Sequence, residues 1–82
     1  MFNIDWHNDA LRELDKLDNF IAKIIAKKVD KLKENPLSKD VTKLVGRNEY
    51  RLRVGDYRVM FEIIGNLIWI KKVGHRKQIY DF

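Results

Sequence analysis

Apolar and polar residues alternate over residues 2–6, Phe-Asn-Ile-Asp-Trp, and predict a short strand. The period then lengthens. Leu11, Leu14 and Leu17 recur at helical spacing behind Asn8 or Asp9, either of which can cap a helix start. Asp18-Asn19 offers a second cap, and Phe20, Ile21, Ile24, Ile25, Val29 and Leu32 follow as one apolar stripe to about residue 34. Asn35-Pro36 ends that helix, because the residue before a proline is pushed out of the helical region. Lys23, Lys27, Lys31 and Asp30 lie toward its other side, first of all a solvated face, with contact to RNA as the weaker reading.

Residues 37–46 read as a connection, with Ser38 of capping type. The period then returns to two. Gly55-Asp56 separates residues 50–54 from 57–64, and Gly65-Asn66 separates 57–64 from 67–73. Both pairs suit two-residue turns that need positive φ. The predicted order is β-α-α-β-β-β: one α+β domain over residues 1–82, two amino-terminal helices packed on one face of an antiparallel sheet. A chain this short buries only about 60–65% of the surface its unfolded form exposes, so the core must be economical.

With the first turn as a two-residue loop, Val54 opposes Tyr57, Arg53 opposes Arg58, Leu52 opposes Val59, Arg51 opposes Met60 and Tyr50 opposes Phe61. Tyr50, Leu52, Val54, Tyr57, Val59, Phe61 and Ile63 then share a core face, and Arg51, Arg53, Arg58, Met60 and Glu62 share the other. The same parity, continued through the second turn, adds Trp69 and Lys71 to the arginine face, and would add His75 but not Arg76, with the strand expected to end at Gly74.

Charge sharpens this picture. The net charge is +5, yet residues 1–40 hold eight basic and eight acidic side chains, so the whole excess lies in residues 41–82. Arg47, Arg51, Arg53, Arg58 and Arg76 lie there, whereas the first half carries one arginine and seven lysines. Arginine is the better residue where a planar fork must grip phosphate. Two arginines directly opposed cost a sheet roughly 0.2–1 kcal/mol, and Glu62 and Asp56 do not offset the cluster. Either a polyanion completes this face, or snorkelling arginines shield the back of the sheet. Phosphate is the natural anion. The tail 73–82 adds His75, Arg76, Lys77 and Tyr80, a segment in which a tyrosine beside cations can stack on a base.

There is no cysteine and no apolar run of membrane-spanning length, so a cytoplasmic protein away from membranes is expected. Two distant histidines and scattered carboxylates form no metal site, and no phosphate-loop or dinucleotide motif is present, so no cofactor is expected.

The stretch YRLRVGDYRV at 50–59, with KLVG at 43–46 before it and VGHRKQIY at 73–80 after it, resembles the RelE/ParE toxin superfamily, and most of all its RelE branch in archaeal and short bacterial forms. The resemblance runs over nearly the whole chain. It implies a toxin of a type II toxin–antitoxin system: a ribosome-dependent endoribonuclease that cuts messenger RNA in the A site. It also implies a RelB-like antitoxin that wraps helical segments over the fold, and operator DNA as a ligand of the toxin–antitoxin complex. The family's basic hairpin residues, commonly lysines, correspond to Arg51 and Arg53, its arginine after the turn tyrosine to Arg58, that of its Gly-x-Arg motif to Arg76, and its late tyrosine to Tyr80. Arg47, Lys71 and Lys77 join Arg51 and Arg53 as candidate phosphate ligands.

RNA needs no metal to cut itself if its 2′-hydroxyl attacks the adjacent phosphate. The enzyme then supplies a base, cations for the phosphorane and an acid for the leaving 5′-oxygen. Arg58 and Arg76 suit the cationic role, and Tyr80 the orientation of a base. Arginine stays protonated, so where relatives carry lysine, Arg51 and Arg53 are poor bases here. His75, with an ordinary pKa near neutrality, or Tyr80 is the expected proton acceptor. Two other readings fit the same basic face: a ParE-like inhibitor of DNA gyrase, and an RNA-binding module without chemistry.

Overall fold

The computed structural model describes residues 1–79, so Tyr80 lies outside the described residues. In chain order the elements are strand β1 (Asn3–Trp6), helices α1 (Asn8–Asp15) and α2 (Asn19–Asp30), a 3₁₀ turn (Lys31–Lys33), strands β2 (Val41–Lys43), β3 (Tyr50–Val54), β4 (Tyr57–Ile64) and β5 (Leu67–His75), and a short helix α3 (Arg76–Ile79). The five strands form one sheet in the order β1-β5-β4-β3-β2. No helix among the described residues is long and apolar enough to cross a membrane.

Local chemistry accounts for the helix starts. The side chain of Asp18 accepts the Phe20 N–H at 2.9 Å and caps α2. The cap of α1 is His7, not the expected Asn8 or Asp9: its Nδ1 accepts the Asp9 N–H at 3.0 Å. The apolar stripe is narrower than its sequence. Ile25, Val29 and Leu32 are buried and Ile21 packs on them, but Phe20 and Ile24 stay exposed. In α1, Ala10 is the buried residue, Leu14 and Leu17 lean on the core, and Leu11 is exposed.

The β3–β4 register agrees pair by pair with the expectation, from Tyr50 with Phe61 to Val54 with Tyr57. Gly55 and Gly65 hold φ of 58° and 60° in the two turns, a conformation costly for residues with a Cβ. The inner face carries Leu52, Val54, Val59, Phe61, Ile68, Ile70 and Val73, closed over by α1 and α2.

Four features depart from the sequence reading. The sheet is mixed, because β1 runs parallel to β5, pairing Asn3 with Leu67 through Trp6 with Ile70. The segment taken as a connection contains β2, antiparallel to β3. A helix follows β5, which runs one residue past Gly74. The fourth is a β-bulge. Met60 pairs with Lys72 but Phe61 pairs with Ile70, so Lys71 is an extra residue and the side-chain parity of β5 reverses there. Ile68, Ile70 and Val73 can thereby all face the core.

The bulge leaves backbone groups to satisfy. β1 covers β5 only as far as Ile70. Beyond it, α1 crosses the open edge, and Glu13 Oε1 accepts the Val73 N–H at 3.0 Å. On the opposite face Ile79 is buried against Gly74, whose strand partner is Arg58, so α3 sits on the arginine side of the sheet.

Candidate functional site

Arg51 and Arg53 project from β3 and Arg58 from β4. Together with Lys39, Asp40 and Thr42 they line an open cleft of about 250 Å³. Alternation puts the three guanidinium groups on one face, and β2 with the chain before it builds the far wall.

Each arginine is held differently. Arg58 Nη1 donates to the carbonyls of Gly55 at 2.8 Å and Tyr57 at 2.9 Å, so the turn grips its own following residue. Burial holds the Arg58 pKa below its ordinary value, and Arg51, Arg53 and Arg76 add to that, with Asp56 opposing them. The group stays a cation, but one short of counter-charge. Arg53 Nη2 donates to Asp40 Oδ1 at 3.2 Å. Among the described residues Arg51 has no ion-pair partner. The charge patterning along the chain gave no hint of Asp40, since it lies in a segment that reads as a connection.

Arg76 starts α3 beside this cluster. Its backbone N–H donates to the Asp56 carbonyl at 2.7 Å, and its Nε lies 3.8 Å from Asp56 Oδ1. One turn, residues 55–57, therefore fixes both Arg58 and Arg76.

The reversed parity moves His75 away from the position expected for it. It pairs with Tyr57, on the face opposite Arg58, with ring centroids 5.4 Å apart, and its Nδ1 accepts the Lys77 N–H at 3.2 Å. Lys77 is exposed on α3. Lys71 does reach the outer face, but as a neutralised group: its Nζ lies 3.0 Å from Glu49 and 3.1 Å from Glu62. Those hydrogen bonds, Glu49 first, raise its pKa against the opposing effect of burial. Arg47 pairs with Glu49 at 3.7 Å and does not line the cleft. The arginine face thus divides into a cationic end at the β3–β4 turn and a charge-balanced end around Lys71.

The family described as the ParE toxin of type II toxin–antitoxin systems, parDE, matches residues 4–80. The toxin RelE3 of Methanocaldococcus jannaschii is 47% identical over 49 residues, spanning 58% of this chain and 56% of that protein. The putative toxin RelE1 of the same organism is 32% identical over 85 residues, spanning 96% of this chain and 94% of that protein. This chain thus spans little more than half the length of the first relative and nearly all of the second. A chain of the RelB–RelE antitoxin–toxin complex from Methanococcus jannaschii superposes with a TM-score of 0.74 at 31% identity, over 93% of this chain and 94% of that one. One from the archaeal RelE–RelB complex of Pyrococcus horikoshii gives 0.78 at 28% identity, over 92% and 94%.

Fold and family match together define the class as the toxins of type II toxin–antitoxin systems. Within that class, this chain belongs to the ParE toxin family and is of the RelE kind.

Proposed function

We propose that this toxin is a ribosome-dependent endoribonuclease that cuts messenger RNA in the A site, and that a RelB-like antitoxin neutralises it. The observation that carries this reading is the cleft in which Arg51, Arg53 and Arg58 converge with Arg58 short of counter-charge. In this reading Arg51 and Arg53 grip the scissile phosphate, and the 2′-oxygen attacks phosphorus as the bond to the 5′-oxygen breaks. Arg58 and Arg76 stabilise the charge on the phosphorane, where preorganised cations act most strongly. Proton transfer falls to Tyr80 or His75. A neutral His75 ring that accepts the Lys77 N–H at Nδ1 carries its proton on Nε2, so His75 can take a proton only by giving up that hydrogen bond.

The relatives seen in complex with RelB support an antitoxin partner for this chain too. Acidic residues laid over the cleft would supply the charge that it lacks.

The test uses ribosomes stalled with a defined codon in the A site, with messenger ends mapped by primer extension. Cuts that require the ribosome and vanish in Arg58→Ala are the expected result. A His75→Ala variant with the wild-type rate and pH profile would leave proton transfer to Tyr80.

The family description itself favours a second reading, a ParE-like inhibitor of DNA gyrase. Intact messenger together with inhibited supercoiling by purified gyrase would establish that alternative.

A further inference from the structure

A carboxylate in a cleft meant for phosphate is out of place on electrostatic grounds alone. Asp40 lines the cleft with three arginines, and its side chain is only 15% exposed. It contacts Arg53 twice. Its carbonyl accepts the Arg53 backbone N–H at 2.9 Å, and its Oδ1 accepts from the Arg53 guanidinium at 3.2 Å. The second oxygen, Oδ2, lies 2.7 Å from Lys28 Nζ on α2. Both oxygens are therefore engaged, one by a helix behind the sheet and one by the cleft.

We propose that Asp40 is a positioning residue that holds the Arg53 guanidinium at the cleft wall, with Lys28 fixing the carboxylate from α2. This deepens the nuclease reading and rests on it. The geometry divides the labour between the two β3 arginines. Arg53 presents a fork whose orientation is set before any anion arrives, and Arg51 is left to close on the anion. Lys28 and Arg53 hold the Asp40 pKa below the ordinary carboxylate range, Lys28 having the larger effect. That makes Asp40 a poor proton acceptor near neutral pH and sets it apart from the general base.

The charge balance gives the proposal a sharp test. Asp40→Asn makes the cleft more positive by one unit. If Asp40 acted only through its charge, phosphate would bind more tightly and cutting would hold or improve. If it positions Arg53, preorganisation is lost and kcat falls by about tenfold or more with KM little changed. Arg53→Lys, which keeps the charge but loses the fork, should fall by a similar factor, and the double variant should be no worse than either single one.

A second measurement does not depend on catalysis. In the wild-type protein the Arg53 Nε–H resonance should be sharp, ordered and shifted by inorganic phosphate. In Asp40→Asn it should lose its order and its response, while the amide resonances of the core stay in place. An Arg53 signal unchanged by Asp40→Asn, with an undiminished phosphate shift, would overturn the proposal. If wild-type protein cuts no messenger, the nuclease reading fails, and the resonance measurement still decides the positioning role. Should Asp40→Asn not fold, Arg53→Lys takes its place, with phosphate followed at the Nε–H of Arg51 in the same cleft: a response as strong as wild type would overturn the proposal.

Discussion

Arg53 and Arg58 stand directly opposite each other across the β3–β4 hairpin, two like charges on one rung of the sheet. The surroundings relieve this only in part. Asp40 answers Arg53, and turn carbonyls rather than a carboxylate answer Arg58. An anion in the cleft should therefore stabilise the fold. Phosphate at ten times its dissociation constant adds about 1.4 kcal/mol by linkage, or roughly 6–11 °C in Tm. Sodium chloride of equal ionic strength should raise Tm much less. Thermal melts in the two salts check this, and the difference should shrink in Arg51→Ala, which removes a cation from the cleft.

Arg51 itself should show stability and function pulling apart. It opposes Met60 and its like charge helps lower the Arg58 pKa, while it has no ion pair of its own among the described residues. Arg51→Thr keeps a good strand former, so its stability should stay within about 0.5 kcal/mol of wild type, or rise. Messenger cutting should fall at the same time. Urea denaturation alongside the primer-extension assay measures both.

Glu13 is predicted to matter far more to the fold than an acid on a helix usually does. It is the acceptor for the Val73 N–H beside the bulge. Glu13→Ala leaves that donor without a protein partner and should cost about 1–3 kcal/mol. Hydrogen exchange at Val73 should accelerate more than at Val59, its neighbour across the sheet.

Gly55 combines both roles of the turn. Its φ of 58° disfavours any residue with a Cβ, although nothing lies within 4 Å of where that Cβ would go. Gly55→Ala should then cost about 1–2 kcal/mol from backbone conformation alone, and Gly55→Asn less. Because the Gly55 carbonyl also holds Arg58, the alanine variant should lose cutting beyond what its stability explains at a temperature where it remains folded.

The pH dependence of stability has two limbs with different owners. Asp40 has a lowered pKa, so its contribution is present above the ordinary carboxylate value and is lost as pH falls through its folded-state pKa, below about 4. Lys71 has a raised pKa, so its contribution is present below the ordinary lysine value and is lost as pH rises beyond about 10.5. Asp40→Asn should flatten the acid limb, and Lys71→Met the alkaline one, in melts followed across pH.

Strand periodicity was enough to read the hairpin register, because seven alternating apolar residues across a glycine turn admit one pairing without moving the core to solvent. It failed at β5, where Ile68, Ile70 and Val73 are separated by two and then three residues. That broken spacing, around Lys71-Lys72, was the visible trace of the bulge, and it carried His75 to the other face. β2 was hidden by brevity: Val41-Thr42-Lys43 offers a single apolar side chain. The parallel pairing of β1 was illegible for another reason, since no local pattern records a partner more than sixty residues away. Asp40 and Glu49, the acids that tie down Arg53 and Lys71, come from the connections on either side of β2, where sequence spacing says nothing about which strand they will meet.

The strand order has a consequence in time. β1 is made first, but among the described residues its one neighbour in the sheet is β5, the last of their strands to be made. During synthesis the first strand and both helices therefore emerge with no sheet to cover, and the interior cannot close until Ile70 has left the ribosome. An incomplete chain has Arg51, Arg53 and Arg58 but no finished frame to hold them.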